Sequence, residues 1–142
     1  MQDFLAPTAC AVVRYFPIEL RSSSMANGLP LPTVVFHGDA DKTVHPRNAE
    51  IIISQCLAGH PAQSVVQEAR SASGRGYTRP TMLDEDDDSI AELWVIHHAG
   101  HAWAGGSSSG IYTDPKGPDA TREMLTFFLA HPMSFKAKAP SQ

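Results

Sequence analysis

The stretch Thr33-Val34-Val35-Phe36-His37-Gly38-Asp39-Ala40-Asp41-Lys42-Thr43-Val44-His45-Pro46 decides how this chain is read. Thr33 to Phe36 is a short, continuous apolar and β-branched run, the pattern of a strand buried on both faces of a parallel sheet. Leu29-Pro30-Leu31-Pro32 delivers it in extended form, because a residue before proline is pushed towards β or polyproline geometry. His45-Pro46 then opens a helix, with proline tolerated in a first turn where its missing N–H is no loss. The stripe Ala49, Ile52, Ile53, Cys56 and Leu57 has helical spacing, and Gly59 supplies a stop. A strand, a polar turn and a helix in that order describe one step of an α/β fold. The turn between them opens at the carboxyl edge of the sheet, where such folds place their ligands.

Two aspartates lie in that turn. A carboxylate there can accept the Nδ1 proton of an imidazole, hold its tautomer and stabilise the imidazolium. In the pattern Gly-x-x-Asp the acid is the fourth residue, which selects Asp41 over Asp39; both can instead cap turns and the following helix. Sixty residues on comes Gly100-His101-Ala102-Trp103-Ala104-Gly105-Gly106. His101, on a glycine-flanked loop after a strand, is placed to act as general base and then general acid. His97, His98 and His101 also spell His-His-x-x-His, but adjacent strand residues point to opposite faces, which argues against one shared metal ion.

A nucleophile is the missing third. Gly106-Ser107-Ser108-Ser109-Gly110 has the form Gly-x-Ser-x-Gly, yet a nucleophile elbow needs a strand before it and a helix after it. Here the pentapeptide sits inside a loop, and a serine after the histidine breaks the order serine, acid, histidine. Ser108 therefore reads as a linker residue, and no nucleophile is assigned in this chain. The expected fold class is α/β: the C-terminal portion of an α/β-hydrolase sheet, an incomplete domain.

The rest of the chain fits around these points. Residues 59 to 76 read as a polar stretch. Strands are expected near 33–36, 76–83 and 92–97, and helices near 46–58 and 119–130. The last two strands pair antiparallel, with Leu93-Trp94-Val95-Ile96 the more buried, and Asp84-Glu85-Asp86-Asp87-Asp88-Ser89 forms a solvated hairpin turn without the spaced ligands of a calcium loop. Residues 99 to 117 form a loop, and Ala120, Met124, Phe127 and Phe128 share one face of the last helix. Residues 1–30 are a poorly assignable segment: Ala9 to Phe16 suits a short strand or helix, and Arg21-Ser22-Ser23-Ser24 a loop. Residues 31–132 form the hydrolase portion, and residues 133–142 a frayed tail.

Composition narrows the function classes. The 142 residues carry a net charge of −4 and no basic run, which argues against nucleic acid or an anionic membrane as partner. No apolar stretch approaches about 18 residues, so no membrane span is expected. No signal peptide is visible at Met1-Gln2-Asp3. Cys10 and Cys56 are too few for a disulfide framework; they read as two buried thiols or a single bridge.

With the acid and base placed, Val35 to Ala49, Gly100 to Gly106 and Tyr112-Thr113-Asp114-Pro115-Lys116-Gly117-Pro118-Asp119-Ala120 together resemble the C-terminal part of the polyhydroxybutyrate depolymerase family of esterases. These are α/β-hydrolases related to feruloyl and acetylxylan esterases. The match covers residues 31 to 130 in order and spacing. It implies a Ser-Asp-His acyl-enzyme mechanism with Asp41 and His101 as acid and base, no cofactor and no metal. It implies an ester or hydroxyalkanoate-like polyester substrate and a secreted, extracellular setting. Trp103 is then either a wall of the substrate site or a core-packing indole. The family's elbow serine and oxyanion loop have no counterpart here. Strands that would flank Val34-Val35 are likewise lacking, so an unpaired sheet edge prone to self-association is expected.

Overall fold

A computed structural model of the chain describes residues 30–132. The expectations for Ala9 to Phe16, Arg21 to Ser24, Cys10 and the tail after residue 132 lie outside the described residues. Eight elements follow in order: β1 (Thr33–Gly38), α1 (Arg47–Cys56), β2 (Gln63–Arg70), β3 (Gly76–Leu83), β4 (Ser89–Ile96), β5 (Trp103–Ala104), β6 (Thr113–Asp114) and α2 (Ala120–Ala130). The main sheet is mixed and has the order β1-β4-β3-β2. β1 runs parallel to β4 with Val35 opposite Leu93, while β4, β3 and β2 form an antiparallel meander.

The α/β content is as expected, but four corrections apply to the strands. Residues 99 to 117, expected as a loop, contain the short parallel pair β5 and β6, two residues each and held by backbone pairing without an apolar run. The main sheet has four strands instead of three, because the polar stretch contains β2, paired with β3 along its whole length. β2 is an edge strand whose residues are largely polar and half-solvated, so it carries no continuous apolar run; Val66 is its single buried side chain. β4 starts at Ser89, three residues earlier than its apolar segment suggests. β1 is not buried on both faces: Thr33 to His37 are half-buried, and among the described residues β4 is its only neighbour.

β3 is interior to the sheet yet contains Pro80. The ladder to β4 passes from Thr78 to Thr81 without pairing Arg79 or Pro80, so the missing proline N–H falls in a gap in the hydrogen bonding. The hairpin from β3 to β4 turns on Asp84, whose carboxylate accepts the N–H groups of Asp86 and Asp88 at 3.0 and 2.9 Å. The acidic run is thus built as turn chemistry, with Asp87 at φ 63°.

The two helices cover opposite faces. On one, Ala49 and Ile53 of α1 and Leu57 just past its end pack on Met82, Ile90, Ala91 and Leu93, with Val35 and Val95 at the margin. The buried stripe is narrower than the apolar one, since Ile52 is 45% exposed and Cys56 half-buried. On the other face Ala120 of α2 meets Ile96, Ala99, Ala104 and Phe36. Asp119 caps α2 by accepting the Arg122 N–H at 3.0 Å. Phe128 departs from the expected buried face and is 47% exposed, resting edge-on against buried Phe127. Trp94 is buried between Phe36 and Tyr77, at 5.5 and 4.8 Å between ring centres, with the Arg79 guanidinium over its ring.

Candidate active site

The carboxyl ends of the two parallel strands β1 and β4 lead into the two turns that matter. They are sewn together by main-chain bonds: Asp39 N–H donates to Ile96 O at 3.1 Å and Ala40 N–H to Ala99 O at 3.0 Å. Gly38 is the point of closest approach, where a β-carbon would sit 2.2 Å from the Ala99 oxygen. Only glycine lets the two turns lie this near.

The two aspartates have separate duties. Asp39 Oδ1 accepts the His98 N–H at 2.6 Å and so ties the first turn to the second. His98 itself has φ 56°, a left-handed conformation uncommon for a residue with a β-carbon. Asp41 faces inward, its side chain 5% exposed. Its Oδ1 accepts the N–H groups of Thr43 and Val44 at 2.8 and 2.9 Å. Its Oδ2 lies 2.9 Å from Nδ1 of His101. An ionised carboxylate only accepts, so Nδ1 carries the proton and a neutral ring presents Nε2 as the acceptor. The Val44 N–H foremost, then the His101 ring and the Thr43 N–H, hold the Asp41 carboxyl at about 2, below its ordinary 3.8 and against the opposing effect of burial.

His101 is 55% exposed along its side chain and lines a cleft of about 440 Å³, within the range of ligand sites. Asp41, Phe36, Val44, Trp103 and Tyr112 line it too. Trp103 is 48% exposed, which rules out the core-packing alternative; its Nε1 donates to Thr121 Oγ1 at 3.3 Å and its ring forms part of the cleft wall. No serine, threonine or cysteine lines this cleft among the described residues. Ser108 sits in the turn that Gly110 N–H closes onto Ser107 O, with neither an elbow strand before it nor a helix after it.

The histidine cluster does not converge. His97 Nε2 pairs with Thr78 Oγ1 at 2.8 Å, His98 is bound through its backbone, and His101 pairs with Asp41. Among the described residues no three His, Cys, Asp or Glu side chains gather in a metal-holding group.

Sequence reasoning missed two features. His37, at the end of β1, brings Nε2 to 4.0 Å from the same Asp41 oxygen, with its side chain 10% exposed. That nitrogen is buried and without a hydrogen-bond partner among the described residues. Its signal was its place, four residues before the acid and just before the glycine. The second feature is Arg75, which holds Asp114 from 39 residues away; an arginine between Gly74 and Gly76 in a hairpin tip is a turn residue by pattern alone. Neither a family model nor a curated protein matches the sequence.

Proposed function

We propose that this chain carries the acid and base of a carboxylic ester hydrolase that works through an acyl-enzyme, of the polyhydroxybutyrate depolymerase type. The observation that carries the reading is the Asp41–His101 pair, 2.9 Å between Oδ2 and Nδ1, with the imidazole open to an aromatic-walled cleft. In that chemistry Nε2 takes the proton of an attacking hydroxyl and returns it to the leaving alcohol. Asp41 keeps Nδ1 protonated and stabilises the imidazolium formed on the way. Its low pKa suits the task, because the carboxylate stays ionised while the ring charges. Trp103 and Tyr112 provide apolar surface for an acyl or hydroxyacyl group.

The hydroxyl nucleophile and the oxyanion donors come from outside the described residues, in this reading. The absence of a serine, threonine or cysteine side chain from the cleft wall among the described residues supports that, and equally supports a partner-requiring or inactive chain. Hydrolysis of p-nitrophenyl butyrate separates the possibilities. The chain alone should turn over no faster than buffer. The chain joined to the residues encoded immediately upstream should turn over, and Asp41→Asn in that longer protein should lower kcat on the order of 10⁴-fold. Clear turnover by the chain alone that disappears with His101→Ala would overturn the assignment of the nucleophile. An active longer protein indifferent to Asp41→Asn would overturn the triad.

A further inference from the structure

The loop that carries His101 leaves the main sheet at His97 and runs through β5 to Asp114 of β6, and both ends converge on one side chain. Arg75 Nη1 donates to His97 O at 3.2 Å and to His98 O at 3.0 Å, and Nη2 donates to Asp114 Oδ1 at 2.9 Å. Nε lies 2.5 Å from Asp114 Oδ2 as a close ion-pair contact beside that one side-chain hydrogen bond. The pair is mostly buried, with 21% and 10% of the two side chains exposed. Arg75 N–H also donates to Lys116 O at 3.1 Å, as does the Ser71 hydroxyl at 2.6 Å. The tip of the β2–β3 hairpin therefore grips the loop at its start and at its end.

Between those two ends the loop is crossed by short rungs. Trp103 N–H donates to Tyr112 O and Gly105 N–H to Asp114 O, each at 2.8 Å. His101 and Trp103 lie on the outgoing limb, and Tyr112 lies two residues before Asp114 on the returning one. Neither Arg75 nor Asp114 lines the cleft. The geometric consequence of their arrangement is the placement of the imidazole and of both aromatic walls.

We propose that Arg75, with Asp114, is a positioning residue that holds the residue 97–114 loop so that His101 meets Asp41. This rests on the reading of Asp41 and His101 as an acid–base pair. A guanidinium is required because one planar group must satisfy a carboxylate and two carbonyls at once, which a lysine ammonium does not do in a fixed geometry. Loss of Arg75 releases the His97 and His98 carbonyls from Asp114, leaving the limbs joined only by the rungs beyond His101. The ring of His101 then averages over positions in which Nδ1 no longer reaches the carboxylate.

The test uses the chain with ¹⁵N-labelled histidine rings, the His101 signals being assigned with His101→Gln. The unsubstituted chain should show a slowly exchanging, low-field Nδ1 proton for His101. Arg75→Met should remove it while the amide spectrum of β1 and β4 persists, and Arg75→Lys should not restore it. Should Arg75→Met fail to fold, Asp114→Asn is read in the same way. A sharp His101 Nδ1 proton retained in a folded Arg75→Met or Asp114→Asn chain would overturn the proposal. Unfolding of both variants would overturn it too, by making the pair a requirement of the fold. A missing signal in the unsubstituted chain instead contradicts the acid–base pair itself, so the two readings fail differently.

Discussion

Replacing Gly38 by alanine should damage the site through the backbone alone. The new β-carbon would stand 2.2 Å from the Ala99 oxygen, 2.6 Å from its carbonyl carbon and 2.8 Å from the Gly100 oxygen. Carbon–oxygen contacts settle at about 3.3 Å or more, so the two turns must part by about 1 Å. All three clashing atoms are main chain, and no side-chain rotation relieves them. Overpacking of this kind costs about 1–3 kcal/mol, and the upper end applies where the backbone must move. For a folded unit of about 100 residues that corresponds to a fall in Tm of roughly 10–20 °C. The displacement also acts between Asp41 and His101, whose turns follow Gly38 and Ala99. A 1 Å error in such a pair is worth about 10²-fold in catalysis, read as hydrolysis by the upstream-extended protein. Gly59→Ala is the control: φ there is +82° but a β-carbon meets nothing within 4 Å. Its cost should be about 1–2 kcal/mol of left-handed strain, with no effect on the pair. A Gly38→Ala chain as stable as the unsubstituted one, with His101 still bonded to Asp41, would refute the argument.

Three other outcomes are expected. The low Asp41 pKa stabilises the folded chain above the ordinary carboxylate value, and that contribution is lost as pH falls from 3.8 towards about 2. Urea titrations of the chain and of Asp41→Asn should therefore differ by a constant amount above about pH 5 and converge below pH 3.8; a difference that persists unchanged to pH 2 contradicts this. At His98, with φ 56°, valine should cost about 1–3 kcal/mol by thermal unfolding and glycine should cost nothing measurable, since the contact to Asp39 is made by the backbone N–H. The edge of β1, unpaired among the described residues, should draw copies together, so sedimentation velocity should show association rising with concentration, and a chain that stays monomeric across a 100-fold concentration range would count against it.

What the sequence made legible was whatever has a short-range cause. Thr33 to Phe36 has strand chemistry at every position, Pro46 and Gly59 bracket α1, and Asp84 needs only its own neighbours to build a turn. The pairing of Asp41 with His101, 60 residues apart, is the exception: its signal was the Gly-x-x-Asp pattern and the glycine-flanked histidine, and the structure supplies its cause in the parallel pairing of β1 and β4. Features that depend on partners distant in sequence were not legible. β2 is held by its ladder to β3 and not by an apolar face, so its polar residues concealed it. Pro80 argues against an interior strand unless the gap opposite β4 is known. Arg75 falls in the polar stretch and Asp114 in the loop of residues 99 to 117, with nothing to link them until the fold brings them together. The exposure of Ile52 and Phe128 likewise depends on how far each helix is rotated against the sheet, which spacing leaves open.

The most direct test is the protonation of His101 by ¹⁵N NMR of histidine-labelled chain at a pH where the ring is neutral. His101 should be the Nδ1–H tautomer, with Nε2 bare towards the cleft, and Asp41→Asn should abolish this preference. An Nε2–H ring in the unsubstituted chain, or a tautomer unchanged by Asp41→Asn, would contradict the Asp41–His101 pairing.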